Sequence, residues 1–183
     1  RYLLIGDMKK QFYIGNVPIG DGSVSIQSMT NVPFTRFDEL KTQALALEKE
    51  GCQIIRASVP DRLSAERFAD LKKAISVPLV ADIHFDYRLA LASIEAGADK
   101  IRINPGNIGA EERVKAVAEA CREKHIPIRI GVNSGSIEKH ILEKYGSPTP
   151  EAMVESALYH VSLLNKYDFD DICISLKSSS VPT

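Results

Sequence analysis

Along the chain, short runs rich in β-branched residues alternate with longer stretches in which apolar side chains return every three or four positions. A period of two marks a strand with distinct faces, and a period near 3.6 marks one face of a helix. On that basis strands are predicted over 24–30, 53–59, 79–84, 100–104, 128–133 and 172–177, and helices over about 38–50, 64–75, 86–96, 111–124 and 150–166. Gly51 and Gly97 fall where a left-handed residue closes a helix, Ser64 is a candidate N-cap, and Pro150 suits a first helical turn after Thr149. Ahead of this array, 11–22 places Gly15-Asn16 between two apolar pairs, which predicts a hairpin lying as a lid over one end of the sheet.

The strand interiors decide between two architectures. Ile101 and Ile103 alternate with Arg102 and Asn104, and Ile128, Ile130 and Val132 with Arg129, Gly131 and Asn133. The same holds for Ile55, Ala57 and Val59 against Arg56 and Ser58, for Leu79, Ala81 and Ile83 against Asp82 and His84, and for Ile172, Ile174 and Leu176 against Ser175 and Lys177. Central strands of a doubly wound sheet are covered by helices on both faces and should be apolar on both. A barrel strand meets helices on one face only, and its other face lines an interior whose C-terminal mouth holds the active site. The pattern therefore predicts an α/β fold of the (β/α)8 TIM-barrel type. Six units are visible and eight close a barrel, so the expectation is an incomplete N-terminal portion, 1–183 forming one truncated barrel domain with an N-terminal β-hairpin.

Composition narrows the function. The chain has 183 residues, 44% hydrophobic and 26% charged, which argues against disorder and coiled coil. A formal net charge of -1 gives no global attraction to nucleic acid or an anionic membrane, so any anion preference must come from local clustering. No apolar run nears the roughly 18 residues needed to span a bilayer, and 1–10 lacks the pattern of a secretory signal, so the expected location is cytoplasmic. Cys52, Cys121 and Cys173 are far apart in sequence, match no ligand spacing, and read as buried thiols; no metal site is expected within this chain.

Local clustering is what the polar face supplies. Arg56, Arg102, Arg129 and Lys177 sit at strand ends with Asp82, His84, Asn104 and Asn133 among them. Several cations converging on one cavity need carboxylate partners or a bound polyanion. A guanidinium donates two hydrogen bonds to a phosphate at once, so a diphosphate is a better fit than a neutral sugar. The loops from Asn104 to Gly109 and from Asn133 to Ser136 could aim backbone N–H groups at it. The alternative is that each arginine pairs with a nearby Asp or Glu. Asp82 and His84 are candidate catalytic groups, as a proton carrier or an orienting pair, or else a hydrogen-bonded pair that only fixes the interior. His125, His140 and His160 are expected at the surface.

At these strand ends the sequence resembles the 4-hydroxy-3-methylbut-2-enyl diphosphate synthases of the methylerythritol phosphate route to isoprenoids. The resemblance runs through Gly15-Asn16-Val17-Pro18-Ile19-Gly20, Gln27-Ser28-Met29-Thr30-Asn31, the stretch from Val77 to Ala90, Asp99 to Gly109, Pro127 to Ser136, Leu142 to Gly146, and Ser175 to Ser179. It implies an oxidoreductase that opens the ring of 2-C-methyl-D-erythritol 2,4-cyclodiphosphate reductively, with ferredoxin or flavodoxin as electron donor. It also implies a [4Fe-4S] cluster in a separate C-terminal domain and a head-to-tail homodimer of the whole protein. Carried onto this chain, the substrate-binding residues would be Arg56, Arg102, Arg129, Asn133 and Lys177. The cluster ligands, including a C-x-x-C pair, have no counterpart in these residues, which implies a chain inactive on its own. A barrel transferase of the dihydropteroate synthase kind and a non-catalytic diphosphate-binding module are the alternatives.

Overall fold

The computed structural model describes residues 10–178. The first residues, on which the absence of a secretory signal was judged, lie outside that range, as does Ser179 of the last motif. Strands β1 (Phe12–Ile14) and β2 (Val17–Ile19) form the expected antiparallel hairpin. Six parallel strands follow in strict sequence order: β3 (Gln27–Met29), β4 (Ile54–Ser58), β5 (Leu79–Asp82), β6 (Lys100–Ile103), β7 (Ile128–Asn133) and β8 (Ile172–Lys177). Between them run α1 (Phe37–Lys49), α2 (Arg62–Ala74), α3 (Tyr87–Glu95), the single turn α4 (Pro105–Ile108), α5 (Glu111–Glu123), α6 (Lys139–Tyr145) and α7 (Pro150–Asn165).

Neighbouring strands are consecutive in sequence and every long crossover is helical, as a barrel requires. The sheet curls. Lys100 on β6 donates to Gln27 Oε1 on β3 at 3.1 Å, across three strand spacings. In a flat sheet those rows would lie about 14 Å apart, too far for side chains standing off the sheet to meet. The result is a half-barrel with Gln27 and Lys100 on the concave face.

The convex face carries the main core. Ile55, Leu79, Ile101, Ile103, Ile128 and Ile130 are wholly buried there against Leu40, Phe68, Val117 and Leu164 of the helices. The alternation in the sequence thus separates helix-facing from interior-facing positions as expected. A second, smaller core lies on the concave face at the N-terminal end, where Ile14 and Val17 of the hairpin pack on Ile54 and Val80. On β8, Ile172 packs against the main core and α7 reaches the strand, but Ile174 and Leu176 stand 49% and 46% exposed.

Local punctuation behaves mostly as read. Thr149 caps α7 by accepting from Ala152 N–H, with Pro150 in the first turn, and Gly51 and Gly97 adopt φ of +90° and +91° after α1 and α3. The N-cap of α2 is Asp61 rather than Ser64: its Oδ1 accepts from Ser64 N–H at 2.8 Å and from Ser64 Oγ at 2.7 Å, so the helix starts two residues early. Strand β3 is shorter than 24–30 because only Gln27–Met29 finds partners on β4.

Candidate anion-binding site

Parallel register stacks the interior-facing residues in tiers. The lower tier joins Met29, Arg56, Val80 and Lys100, and the upper joins Ser58, Asp82, Arg102, Arg129 and Cys173. Above these, Gly131 pairs with Ser175 and Asn133 with Lys177. Backbone pairing alone therefore brings Arg102 beside both Asp82 and Arg129, about 5 Å apart across the strands.

Asp82 is the hub. Its carboxylate, almost fully buried, accepts from Arg102 Nη1 at 3.0 Å and lies 3.5 Å from Arg56 Nε. Arg56 also turns Nε and Nη2 toward Met29 Sδ, at 3.3 and 3.0 Å. His84, 43% exposed, lies with Nε2 4.0 Å from Asp82, an electrostatic neighbour and not a hydrogen-bonded pair. The reading in which every arginine has a carboxylate partner holds for Arg56 and Arg102, which share one. It does not hold for Arg129, whose buried Nε has no hydrogen-bond partner among the described residues. Burial, and then the Arg56 charge, press the Arg129 guanidinium below its ordinary value.

A further cation belongs here that sequence reasoning left out. Lys100 is 3% exposed, its ammonium donates to Gln27, and burial pushes it down to about 8. Its parity with Arg102 and Asn104 was the available signal. On the two tiers, Arg56, Lys100, Arg102 and Arg129 face the single carboxylate of Asp82. Burying such an excess is costly unless an anion enters.

Of the other expected ligands, Asn133 sits half-buried and Lys177 exposed, side by side at the mouth. The β6 and β7 ends are tied through Ser136, whose Oγ accepts from Asn104 Nδ2 at 2.8 Å and from Asn133 N–H at 3.3 Å. The loop after Asn104 is less open to a ligand than its glycines suggested: the Asn107 and Ile108 N–H groups both donate to the Asn104 carbonyl. Beside Arg56, a cleft of about 490 Å³ opens between the loops after β3 and β4, lined by Met29, Thr30, Asn31, Phe34, Ser58 and Asp61.

His125 and His140 are exposed, as expected. His160 is not: it is 1% exposed in α7, with Nε2 2.5 Å from Glu138 Oε1 of the segment after β7. Glu138 is distant in sequence, so no local pattern announced that burial.

Comparison with known proteins decides the family at this point. The model of the GcpE TIM-barrel domain matches residues 9–183. This chain belongs to the GcpE TIM-barrel family. Among curated relatives, proteins named 4-hydroxy-3-methylbut-2-en-1-yl diphosphate synthase (flavodoxin) are 58% identical in Caldanaerobacter subterraneus, over 96% of this chain and 50% of that one. In Shewanella sp. strain ANA-3 the figures are 55%, 93% and 46%, and in Fusobacterium nucleatum 57%, 92% and 48%. The chain spans about half the length of the curated relatives it matches.

Solved structures extend the fold. A 7,8-dihydropteroate synthase from Vibrio fischeri superposes with a TM-score of 0.66 over 90% of this chain and 65% of its own, at 12% identity. A phospho-2-dehydro-3-deoxyheptonate aldolase from Thermotoga maritima gives 0.63, 91% and 45%, at 15%. At such identities the likeness concerns the barrel alone, so the transferase alternative draws fold and no function from it, whereas the GcpE match is one of sequence.

The described residues do not fit an iron–sulfur cluster. Cys52 donates to the Ile54 carbonyl, Cys121 is wholly buried in α5 with its thiol pushed up by burial, and Cys173 stands alone on the upper tier. No group of three His, Cys, Asp or Glu side chains converges among the described residues. No helix among the described residues is long and apolar enough to cross a membrane.

Proposed function

We propose that residues 1–183 supply the substrate-binding barrel of a 4-hydroxy-3-methylbut-2-enyl diphosphate synthase acting in isoprenoid biosynthesis, and that the concave cluster holds the diphosphate of 2-C-methyl-D-erythritol 2,4-cyclodiphosphate. The observation that carries this reading is Arg129: a half-buried guanidinium whose buried Nε has no partner among the described residues, on a tier whose one carboxylate, Asp82, is already shared by Arg56 and Arg102. A diphosphate supplies the missing negative charge and enough acceptor oxygens for several guanidinium forks.

On this reading Asp82 has a positioning role. It pins Arg102 and steers Arg56, so that both guanidinium groups are oriented before the ligand arrives and little ordering remains to be done on binding. Asn133 and Lys177 meet the ligand at the mouth, and the cleft beside Arg56 takes the uncharged carbon skeleton. His84, half-exposed beside Asp82, would hold or move a proton at the ligand's edge. The [4Fe-4S] cluster, the contact with ferredoxin or flavodoxin and the homodimer interface then belong to the rest of a longer cytoplasmic protein, and the present residues bind and orient without turning over.

The test uses the full-length protein. Arg102→Ala and Arg129→Ala should each weaken kcat/KM for the cyclic diphosphate by roughly 2–4 kcal/mol, the scale for losing a charged hydrogen-bonding partner, with iron content unchanged. Substrate kinetics equal to wild type in both variants would remove the cluster from the substrate site.

A further inference from the structure

Gly131 lies in the middle of β7, between Ile130 and Val132, which are 0% and 1% exposed in the main core. Glycine weakens a strand interior, because it adds backbone entropy and nothing to pack, so its place here needs a reason. Conformation is not that reason: Gly131 is absent from the glycines with positive φ, and its backbone would accept alanine. Space is. A Cβ built at Gly131 would stand 2.5 Å from Arg102 Nε, 2.6 Å from Nη2 and 2.9 Å from Cζ. The guanidinium of Arg102 lies across the bare backbone of β7, in the volume that any other residue would fill.

From this geometry we infer that Gly131 is a positioning residue: its missing side chain is the seat that lets Arg102 cross to Asp82 and present its guanidinium to the bound anion. The inference rests on the anion-site reading above. The guanidinium, as the end of a flexible side chain, is the wall of this contact that gives, and it moves only against what holds it. The backbone of β7 is held by the buried Ile130 and Val132 and by ladder partners on both β6 and β8. The Arg102 side chain is 11% exposed and fixed by the 3.0 Å bond to Asp82 Oδ1. One added methyl group therefore pushes Nε and Nη2 aside and shifts the guanidinium from the place where Nη1 meets Asp82. Because Asp82 also steers Arg56, the displacement loosens two of the cations facing the ligand. Gly131 touches neither substrate nor cofactor on this account and acts wholly through Arg102.

A double-mutant cycle in the full-length protein tests it, read as affinity for inorganic pyrophosphate by titration calorimetry, with circular dichroism and thermal melting to follow the fold. Gly131→Ala should weaken binding at least about tenfold, the equivalent of one charge-assisted hydrogen bond. In an Arg102→Ala background, where the methyl group has room, the same substitution should change affinity by less than about twofold, since the two sites act as one. A purely structural role for Gly131 would instead cost the same in both backgrounds and would overturn the inference. Wild-type affinity for Gly131→Ala alongside weakened binding by Arg102→Ala would also overturn it while leaving the anion site standing. Unchanged affinity for Arg102→Ala would instead remove the anion-site reading itself. If Gly131→Ala fails to fold, folding of the Gly131→Ala/Arg102→Ala double variant supports the clash, and failure of both overturns it.

Discussion

At the N-terminal end of the curled sheet the interior-facing positions are Ile54 on β4 and Val80 on β5, buried to 1% and 0% under Ile14 and Val17 of the hairpin. Two residues further along the same strands the interior-facing positions are Arg56 and Asp82, and on β6 Arg102 follows Lys100 by the same step. One rise of two residues, about 7 Å, thus separates a sealed apolar floor from a charged mouth. The floor gains by excluding water and is finished when its side chains touch. The mouth is unfinished, with more buried positive charge than its one carboxylate can answer. Stability is concentrated at the bottom of a barrel and binding at the top, and here the boundary is staggered, because the register sets Val80 of the floor level with Arg56 and Lys100.

Removing Asp82 should have the largest effect on that division. Asp82→Ala leaves Arg56 and Arg102 without their shared counter-charge, and losing one side of a buried pair costs about 3–5 kcal/mol. Urea unfolding should show that loss, and added pyrophosphate should recover part of it by supplying the missing charge. A variant as stable as wild type without anion would mean that the arginines are solvated and the mouth is not a charged cavity.

At the floor the expected loss is slightly smaller and of another kind. Ile54→Ala opens a hole beneath the hairpin and should cost about 2–4 kcal/mol from lost burial and the remaining cavity, with no recovery on adding pyrophosphate. Anion-dependent recovery there would show that floor and mouth are one energetic unit and that the contrast drawn above is false.

Lys100 lies between the two and sharpens the contrast through pH. Its ammonium titrates at about 8 in the folded chain against 10.5 ordinarily, so between those values the unfolded chain binds more protons. Stability then rises as pH climbs from about 8 to about 10.5, while below pH 8 the penalty for a buried charge is present in full. Lys100→Met should remove it, raising stability at pH 7 by about 1–3 kcal/mol after loss of the Gln27 bond, and flattening the alkaline rise. It should also weaken pyrophosphate binding, because one of the cations beneath the mouth is gone. A Lys100→Met chain that is less stable at pH 7 would show that this lysine is well paired.

Most of this division could be read before any coordinates. Strict alternation on β6 and β7 puts Arg102 and Arg129 on one face and Ile101, Ile103, Ile128 and Ile130 on the other, and the four isoleucines are the ones that join the main core. The same parity holds for Lys100, and what the sequence does not show is that the curl of the sheet encloses it. Helix α6 went unread because seven residues give too few turns for a period to register. An amphipathic helix predicts His160 at the surface, and only the return of Glu138 from another element makes its position an interior one. What the sequence hides in these cases is contact between distant segments, which no local period encodes.

The smallest expected effect on stability belongs to His84. It is 43% exposed, its ring 4.0 Å from Asp82, and a half-solvated neighbour at that range contributes little to folding. His84→Ala should therefore change stability by no more than about 0.5 kcal/mol. Its effect on the full-length protein is the informative one. If His84 holds or moves a proton at the ligand, kcat should fall and the acid limb of its pH profile should shift while pyrophosphate affinity changes little. Asp82→Ala should do the reverse, damaging affinity first, because it acts through the arginines. Equal losses of kcat and affinity in both variants would make His84 and Asp82 a single orienting unit, and would leave the proton to be carried by a group outside these strands.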